Sequence, residues 1–501
     1  MSIDVRPSEP IPPDPRDPPV PQDGVRDDTE GETTDATQTR MSDAEAVMWA
    51  VEKDPALRSD YCNLTILEHA PDPDRFAAKL EDALIAIPRL AQRVVSAPLR
   101  IAPPEWVADP ALDLDYHVKR VSLPEPGDER ALLDVCASLA ETPFDRGRAL
   151  WEFTLIEGLS DGRVAMLQKL HHTIADGVGA LKLSLALVDF EPDPPVETER
   201  RKRKSGIDRG ESATSPLTVA RDAIRDAAFK QAALARQSLE GVAGLVTNPK
   251  RVPGAVSDGV RLAGSLRRQL LVTEPAHSDV MIERSLRRHF EIVTTSLPAV
   301  RAAANALGGS INDVFVTAIA GALGDYHAAR GSEVSDLRMA MPVSTRQRGD
   351  SGANRFAPMR VIIPIRPLDP RARFAHTHEA LASAKSERAL GSLDLVAGFT
   401  AGLPTSLLVA LARAQTRTID FAASNLRGSP VPLYLAGAPI MGNFGLGPRT
   451  GCAVNVTMMT YCDECHLGLN VDPAAIVEPA EFIEAVRVAF DELASMAHAR
   501  D

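Results

Sequence analysis

The sequence predicts an α/β protein, and three observations support this fold class. Segments with strand-like alternation and segments with apolar residues at helical spacing follow one another over residues 41–190. The same succession returns over residues 284–501. Hydrophobic residues make up 44% of the 501 residues, enough for a substantial core. We therefore expect two α/β domains, at 41–190 and 284–501, with a connector at 191–283.

Residues 1–40 have a different composition from the rest of the chain. They hold eight prolines, and ten Asp or Glu against four Arg give them a charge of −6. No apolar periodicity follows the prolines, so this segment cannot bury enough surface to offset the entropy lost on ordering. We expect a disordered tail.

The first domain is expected to begin with a helix at Ser42. Glu45, three residues on, completes a capping box with that serine. The further elements predicted are a strand at 63–67, a helix at 74–87, an extended stretch at 112–118, a helix at 130–140 and strands at 151–156 and 164–170.

The connector contains a basic run at 200–204 and an Ala- and Arg-rich helical segment at 216–271. It could pack on both domains or form an interfacial helix pair that contacts lipid. Because its apolar face is largely alanine, which reaches little into acyl chains, packing is favoured.

The second domain is predicted from a similar series of elements. They are strands at 284–294, 337–343, 361–365, 422–425, 433–435 and 453–460, a helix opened by residues 308–313, a helix at 390–412 interrupted at Pro404, and a closing helix at 479–494.

Charge and cysteine content limit the classes of function. The net charge is −13, and neither a concentrated basic face nor a nucleic-acid-binding motif is found, so we expect no nucleic-acid ligand. Five cysteines without a signal peptide suit a reducing compartment. No apolar segment approaches the roughly 20 residues of a spanning helix. We expect a cytoplasmic protein or one attached peripherally to a membrane.

The candidate catalytic residues lie between an apolar strand and a helix. His171 and His172 are followed by Asp176 and Gly177. Histidine has the pKa range of a general base, which could take the proton of a hydroxyl that attacks a thioester. Asp176 could brace the imidazole or hold the loop, and Gly177 would let the chain turn. A pair of core histidines with a capping aspartate explains the pattern equally well.

Two other kinds of site are poorly supported. A serine hydrolase would need a Gly-x-Ser-x-Gly elbow, which does not accompany the histidines. Zinc would need third and fourth ligands at usual spacing, so no metal site is expected.

Residues 171–177 resemble the HHxxxDG signature of CoA-dependent acyltransferases, and the chain from Met41 onwards resembles the bacterial wax ester synthase/diacylglycerol acyltransferase family. The segments that carry the resemblance in order are 114–118, 150–152, 311–314, 341–346, 424–430 and 433–437. Two departures, Ala149 before Leu150 and Trp151, and Leu426 with Arg427 after Asn425, bear on substrate preference more than on the reaction.

The resemblance implies two chloramphenicol-acetyltransferase-like domains with the active site in a tunnel between them. His172 would be the general base, and Asp176 would shape the loop. Acyl-CoA would be the co-substrate, a diacylglycerol or long-chain alcohol the acceptor, and no cofactor would be needed. The enzyme could contact the inner membrane or lipid droplets.

Two further sites in the second domain are candidates for substrate binding, and a third has the spacing of a haem attachment; each also has a plainer interpretation. Asn312 could face the tunnel, whereas Asp313 sits where a carboxylate caps a helix. Ser424 and Asn425 could bind substrate or form a turn that ends a strand. Residues 462–466 have the C-x-x-C-H spacing of haem attachment, but their position between two strand-like arms favours a hairpin tip.

Two rival functions share the motif. A non-catalytic protein could use the tunnel to bind lipid or acyl-CoA, although it would have little need for His172. A condensation-type acyltransferase would act on carrier-protein partners, and no carrier domain is fused here.

Overall fold

The computed structural model describes residues 40–96, 103–174, 183–194, 275–344, 356–366, 369–387 and 404–497. The strands are β1 Asp60–Leu67, β2 Gln92–Val95, β3 Glu105–Ala108, β4 Val118–Ser122, β5 Trp151–Glu157, β6 Val164–His171, β7 Val188–Asp189, β8 His289–Ser296, β9 Asp336–Ser344, β10 Phe356–Pro364, β11 Phe421–Leu426, β12 Tyr434–Leu435, β13 Ala438–Leu446, β14 Val454–Tyr461 and β15 Glu464–Val471. The α-helices are α1 Asp43–Val51, α2 Pro73–Ala86, α3 Leu114–His117, α4 Glu129–Glu141, α5 Leu297–Leu307, α6 Ile311–Ala329, α7 Pro370–Glu387, α8 Thr405–Thr416 and α9 Pro479–Ser495. The predicted α/β class is confirmed.

The first large sheet has seven strands in the order β4-β5-β6-β1-β13-β12-β7. Its strand β6 is buried at every position and pairs antiparallel with β5 and β1. A strand that is covered on both faces has a sequence of largely continuous apolar residues, without the alternation of apolar and polar residues seen in a half-exposed strand. Two strands of this sheet, β12 and β13, come from the far end of the chain, so residues 284–501 contribute to both large sheets.

The second large sheet has six strands in the order β10-β9-β11-β14-β15-β8. Helix α6 packs against it, and its side chains from Asp313 to Leu323 are all buried. Around α6, helices α5, α7 and α9 complete the layer. The apolar faces of these helices and of the sheet form one core.

Local capping signals place the helix starts as predicted. Ser42 and Glu45 form the capping box of α1, and Ser310 and Asp313 form that of α6. In each box the serine hydroxyl accepts from the backbone of the third helical residue, whose carboxylate accepts from the serine N–H. The capping interpretation of Asp313 is confirmed.

The two large sheets are in close backbone contact at a pair of glycines. A Cβ added to Gly468 of β15 would lie 2.1 Å from the carbonyl oxygen of Gly445 of β13. Contact at this distance leaves no room for any side chain, so glycine is required there for the sheets to meet.

We expect Gly468→Ala to reduce the free energy of unfolding by about 3 kcal/mol, since one of two packed backbones must move to admit the methyl group. Chemical denaturation measures this loss. Gly162→Ala is the matched control: its Cβ meets nothing within 4 Å, but its φ is +81°. That variant should lose only about 1 kcal/mol. Equal losses in the two variants would contradict the close-contact interpretation.

Several predicted elements differ from the structure. Residues 112–118 are not one extended stretch, because Asp113 caps the short helix α3 before β4 begins. The strand predicted at 284–294 begins only at His289, and the preceding arginines lie in a loop. Strand β13 was not predicted, because Gly442, Asn443 and Gly445 interrupt its apolar pattern.

Other predictions lie outside the described residues. They concern the tail at 1–39, the connector helices at 216–271, the helix start at 177–182 and the first part of the helix at 390–412. The described part of the helix predicted at 390–412 is α8, which begins directly after Pro404.

Within the described part, no single helix is long and apolar enough to cross a membrane. The helices α5 and α6, which meet at a bend of 96°, are together long and apolar enough by length and composition alone.

Candidate active site

The two histidines lie where the central strand β6 ends and the chain turns. His171 is the last residue of β6 and pairs with Asp60 at the start of β1. The turn is closed by a hydrogen bond from the Ile174 N–H to the His171 carbonyl, 2.9 Å long. A buried, doubly paired strand thus sets the position of both imidazoles, as the sequence predicted.

His171 is locked in place by hydrogen bonds at both ring nitrogens. Its ring is 3% exposed, Nε2 lies 2.6 Å from Oε2 of Glu52, and Nδ1 lies 2.7 Å from Oγ1 of Thr173. The Thr173 N–H also donates to Nδ1, so Nδ1 accepts and the Nε2 proton is directed at Glu52. This arrangement leaves no ring nitrogen of His171 for a substrate and gives it a positioning role.

Glu52 organises the environment of His171. Besides His171, this carboxylate accepts hydrogen bonds from the N–H and hydroxyl of Ser59 and contacts Arg146 at 3.4 Å. Burial opposes its ionisation, but the hydrogen bonds from His171 and Ser59 outweigh burial and hold the pKa of Glu52 below its ordinary value of 4.5. Glu52 is therefore a buried anion at neutral pH.

The lowered pKa of Glu52 predicts an acid-sensitive contribution to stability. A carboxyl group whose pKa is lower in the folded than in the unfolded state stabilises the folded protein at pH values above its unfolded pKa. For Glu52 this contribution is lost as the pH falls below 4.5 through the folded pKa. We expect the stability difference between the wild type and Glu52→Gln to shrink over that range, as measured by urea denaturation. A difference that stays constant or grows with acid would contradict the assignment.

His172 is more accessible than His171 and projects from the opposite side of the strand. It is half-buried, and its ring centroid lies 4.8 Å from that of Tyr61, with the planes tilted by 48°. Tyr61 is opposite Leu170 in the ladder, so His172 continues the face of β6 that carries Gln168 and Leu170.

That face of the sheet carries a polar network. Asn63 donates to Gln168 at 3.0 Å and to Asn443 at 2.7 Å, and Thr65 donates to Asn443 at 3.2 Å. A cavity of ≈ 40 Å³ lies over these side chains, with apolar walls that include Leu435. The face beside His172 thus combines hydrogen-bonding groups with apolar surface.

The structure places the remaining predicted residues in two groups. Asp176 and Gly177 lie outside the described residues. Asn312, at the start of α6, accepts a 3.4 Å hydrogen bond from Nδ2 of Asn425 in β11, and Ser424 precedes Asn425 on that strand. The structure brings these two asparagines together at the end of β11, an interior strand of the six-stranded sheet, whereas the histidines end a strand of the seven-stranded sheet.

The C-x-x-C-H segment at 462–466 lies at the tip of a hairpin, as predicted. Strands β14 and β15 pair with Tyr461 opposite Glu464, and Cys462 has a positive φ of 50° in the turn. Cys465 is fully buried, and burial raises its pKa to about 11. Among the described residues, no group of three or more His, Cys, Asp or Glu could hold a metal ion.

Sequence reasoning missed three residues that fix His171: Glu52, Ser59 and Thr173. Thr173 could have been suspected from its place within the motif. Glu52 is 119 residues from His171, and no spacing rule links them. Only the packing of α1 against the end of β6 brings them into contact.

Comparison with known proteins identifies the family of the chain. The model of the wax ester synthase/diacylglycerol acyltransferase catalytic domain matches residues 10–315, and that of the family's C-terminal domain matches residues 352–494. A Mycobacterium tuberculosis protein with the provisional name of diacylglycerol O-acyltransferase is 32% identical over 91% of this chain and 93% of its own.

Two solved structures share the fold. The wax ester synthase/diacylglycerol acyltransferase from Marinobacter aquaeolei VT8 is 21% identical to this chain, with a TM-score of 0.60. The match covers 92% of this chain and 100% of the Marinobacter chain. The first condensation domain of the calcium-dependent antibiotic synthetase, in complex with a substrate analogue, is 13% identical with a TM-score of 0.55, covering 92% and 96%. At these identities the likeness concerns the fold.

Proposed function

The chain belongs to the wax ester synthase/diacylglycerol acyltransferase family and is an O-acyltransferase, and we propose that it transfers the acyl group of acyl-CoA to a diacylglycerol or a long-chain alcohol. The name of the M. tuberculosis relative supports the diacylglycerol, and the name of the Marinobacter enzyme supports both acceptors. The products would be triacylglycerols or wax esters.

The observation that carries the proposal is the division of roles between the histidines. His171 is buried and hydrogen-bonded to Glu52 and Thr173, whereas His172 is partly exposed on the other face of the strand end. A general base must reach the proton it abstracts, so His172 is the residue that can serve. His171, held on the other side, would keep the strand end in shape.

The reaction needs no covalent enzyme intermediate. The imidazole of His172 takes the proton of the acceptor hydroxyl while its oxygen attacks the thioester carbonyl carbon. When the tetrahedral intermediate collapses, the carbon–sulfur bond breaks, and the imidazolium returns the proton to the leaving thiolate. One ester and one free CoA are formed for each thioester consumed.

We place the asparagine pair in the substrate-binding surface. The hydrogen bond between Asn425 and Asn312 is long, 3.4 Å, and Asn425 is exposed, so its amide could exchange this partner for a substrate oxygen. Ser424 lies next to it on the same strand end. Loss of this contact should raise the KM for a substrate and should have little effect on the stability of the fold.

The experiment that tests the function is a stoichiometric transfer assay. Purified full-length protein is given a long-chain acyl-CoA with diacylglycerol, fatty alcohol or no acceptor. Free CoA is read with a thiol reagent, and the ester is identified by mass spectrometry. Equal amounts of CoA and ester are expected, and the preferred acceptor decides between triacylglycerol and wax ester. Tight acyl-CoA binding without turnover on any acceptor would instead favour a binding protein.

Both proposed acceptors are insoluble in water, so we propose that the enzyme works in the cytoplasm at a membrane or lipid-droplet surface. Flotation with lipid vesicles tests this location, since a peripheral protein should rise with the vesicles. A protein that remains at the bottom of the gradient with every lipid composition would contradict it.

A further inference from the structure

A second cavity lies outside the polar face beside His172. It has a volume of ≈ 240 Å³ and lies between the loop before β1, the end of α4, the loop before β8 and the loop between β13 and β14. The charged side chains around it are Arg58, Glu141, Arg284, Arg287, Arg288, Arg449 and Asp472. We refer to this set as the arginine pocket.

The arginine pocket carries excess positive charge. Five guanidinium groups face two carboxylates, those of Glu141 and Asp472. Arg288, whose side chain is 10% exposed, donates one Nη2 hydrogen bond to Asp60 at 2.7 Å. Its other terminal nitrogen, Nη1, is buried and has no hydrogen-bond partner among the residues that the structure describes. A buried guanidinium donor without an acceptor is costly, and a bound anion would satisfy it.

Backbone carbonyls hold other arginines of the pocket in place. Arg284 donates to the carbonyl oxygens of Met281 at 2.6 Å and Gly451 at 2.8 Å. Arg449 donates to the carbonyl of Arg287 at 2.6 Å and pairs with Asp472. Carbonyl acceptors fix a guanidinium without cancelling its full charge. The pocket is therefore preorganised for a ligand that carries negative charge.

The arginine pocket lies at the same end of the molecule as the histidines. Asp60, which accepts from Arg288, is the ladder partner of His171. Ser59 donates to Glu52, the carboxylate that holds His171, and Arg58 of the pocket directly precedes Ser59. A ligand anchored at the arginines would thus be close to the residues that position the active-site turn.

We propose that the arginine pocket binds phosphate groups of the acyl-CoA donor, an inference that rests on the proposed function. Arginine forms paired, charge-assisted hydrogen bonds with phosphate oxygens. The cavity volume of ≈ 240 Å³ suits one or two phosphate groups better than a whole nucleotide. The pocket would anchor the polar end of the donor while the thioester reaches His172.

Kinetics with one exposed arginine test the proposal. The side chain of Arg287 is 79% exposed, and its ion-pair contact with Glu141 is 3.5 Å long, so Arg287→Ala should fold normally. We expect it to raise the KM for acyl-CoA about tenfold and to leave the KM for the acceptor unchanged. The matched control is Arg120→Ala on β4, which removes an arginine 52% exposed, paired with Glu157 and outside the pocket.

An acyl-pantetheine thioester, which lacks phosphate, separates charge recognition from a structural effect. Its KM should be the same in the wild type and in Arg287→Ala. An equal rise of KM for the two thioesters, or no rise for acyl-CoA, would overturn the proposal. Glu141→Gln removes a negative charge from the pocket and should lower the KM for acyl-CoA.

Direct binding by calorimetry distinguishes failure of this inference from failure of the proposed function. Loss of CoA binding in Arg287→Ala supports the pocket even if the wild type turns over no acceptor. If the wild type turns over and the variant binds CoA as well as the wild type, the pocket proposal is wrong and the proposed function stands. If the variant instead loses binding only to vesicles of anionic phospholipid, the ligand is a lipid headgroup and the assignment to CoA is wrong.

Discussion

Replacing His172 with alanine should lower the rate of CoA release in the presence of acceptor by about two to four orders of magnitude, the usual contribution of a general base. The residue to be removed is half-buried at the end of β6 and packs against Tyr61. Without an imidazole there, the acceptor hydroxyl must attack with its proton still attached. The KM for acyl-CoA should change little, because we propose that the arginine pocket anchors the donor.

The control for this prediction is His69→Ala. His69 is exposed, and its Nδ1 lies 3.0 Å from the carbonyl of the adjacent Ala70, so its loss should leave both folding and rate unchanged. Circular dichroism and the denaturation midpoint establish that His172→Ala is folded. A folded His172→Ala protein that releases CoA at the full rate would show that another group is the base.

Glu52→Ala should have the largest effect on stability, a loss of about 3–5 kcal/mol in the free energy of unfolding. The side chain of Glu52 is 5% exposed and accepts from His171, Ser59 and Arg146. Its removal leaves buried donors without an acceptor and a guanidinium without its counter-charge. The denaturant midpoint measures the loss.

Two further variants separate the contributions of hydrogen bonding and charge at Glu52. Glu52→Gln keeps an acceptor for His171 and should recover part of the stability. Glu68→Ala removes an exposed carboxylate just after β1 and should change the free energy of unfolding by less than about 0.5 kcal/mol. If Glu52→Ala were as stable as Glu68→Ala, His171 would not depend on this carboxylate.

Elements with a strong local signal could be predicted from the sequence. The capping boxes at Ser42 and Ser310 were read correctly because both partners of each box lie three residues apart. Strand β6 was found because a fully buried strand is a continuous apolar run. Each of these signals arises from neighbours in the sequence.

Strand β13 shows where such signals fail. Its glycines weaken any strand pattern, yet the strand lies between β1 and β12 in the seven-stranded sheet. A Cβ added to Gly445 would lie 2.8 Å from Cγ2 of Thr457, a residue of β14 in the other large sheet. A requirement set by a strand of another sheet leaves no periodicity in the sequence around Gly445.

The sequence by itself determined the fold class, the family resemblance and the strand end that carries His171 and His172, because local patterning and a compact motif encode them. The tertiary structure alone decided which histidine is held by Glu52 and which stays accessible. It also decided that arginines from both halves of the chain meet in one pocket. Contacts between residues more than a hundred positions apart depend on how helices and sheets pack, and no local pattern records that packing.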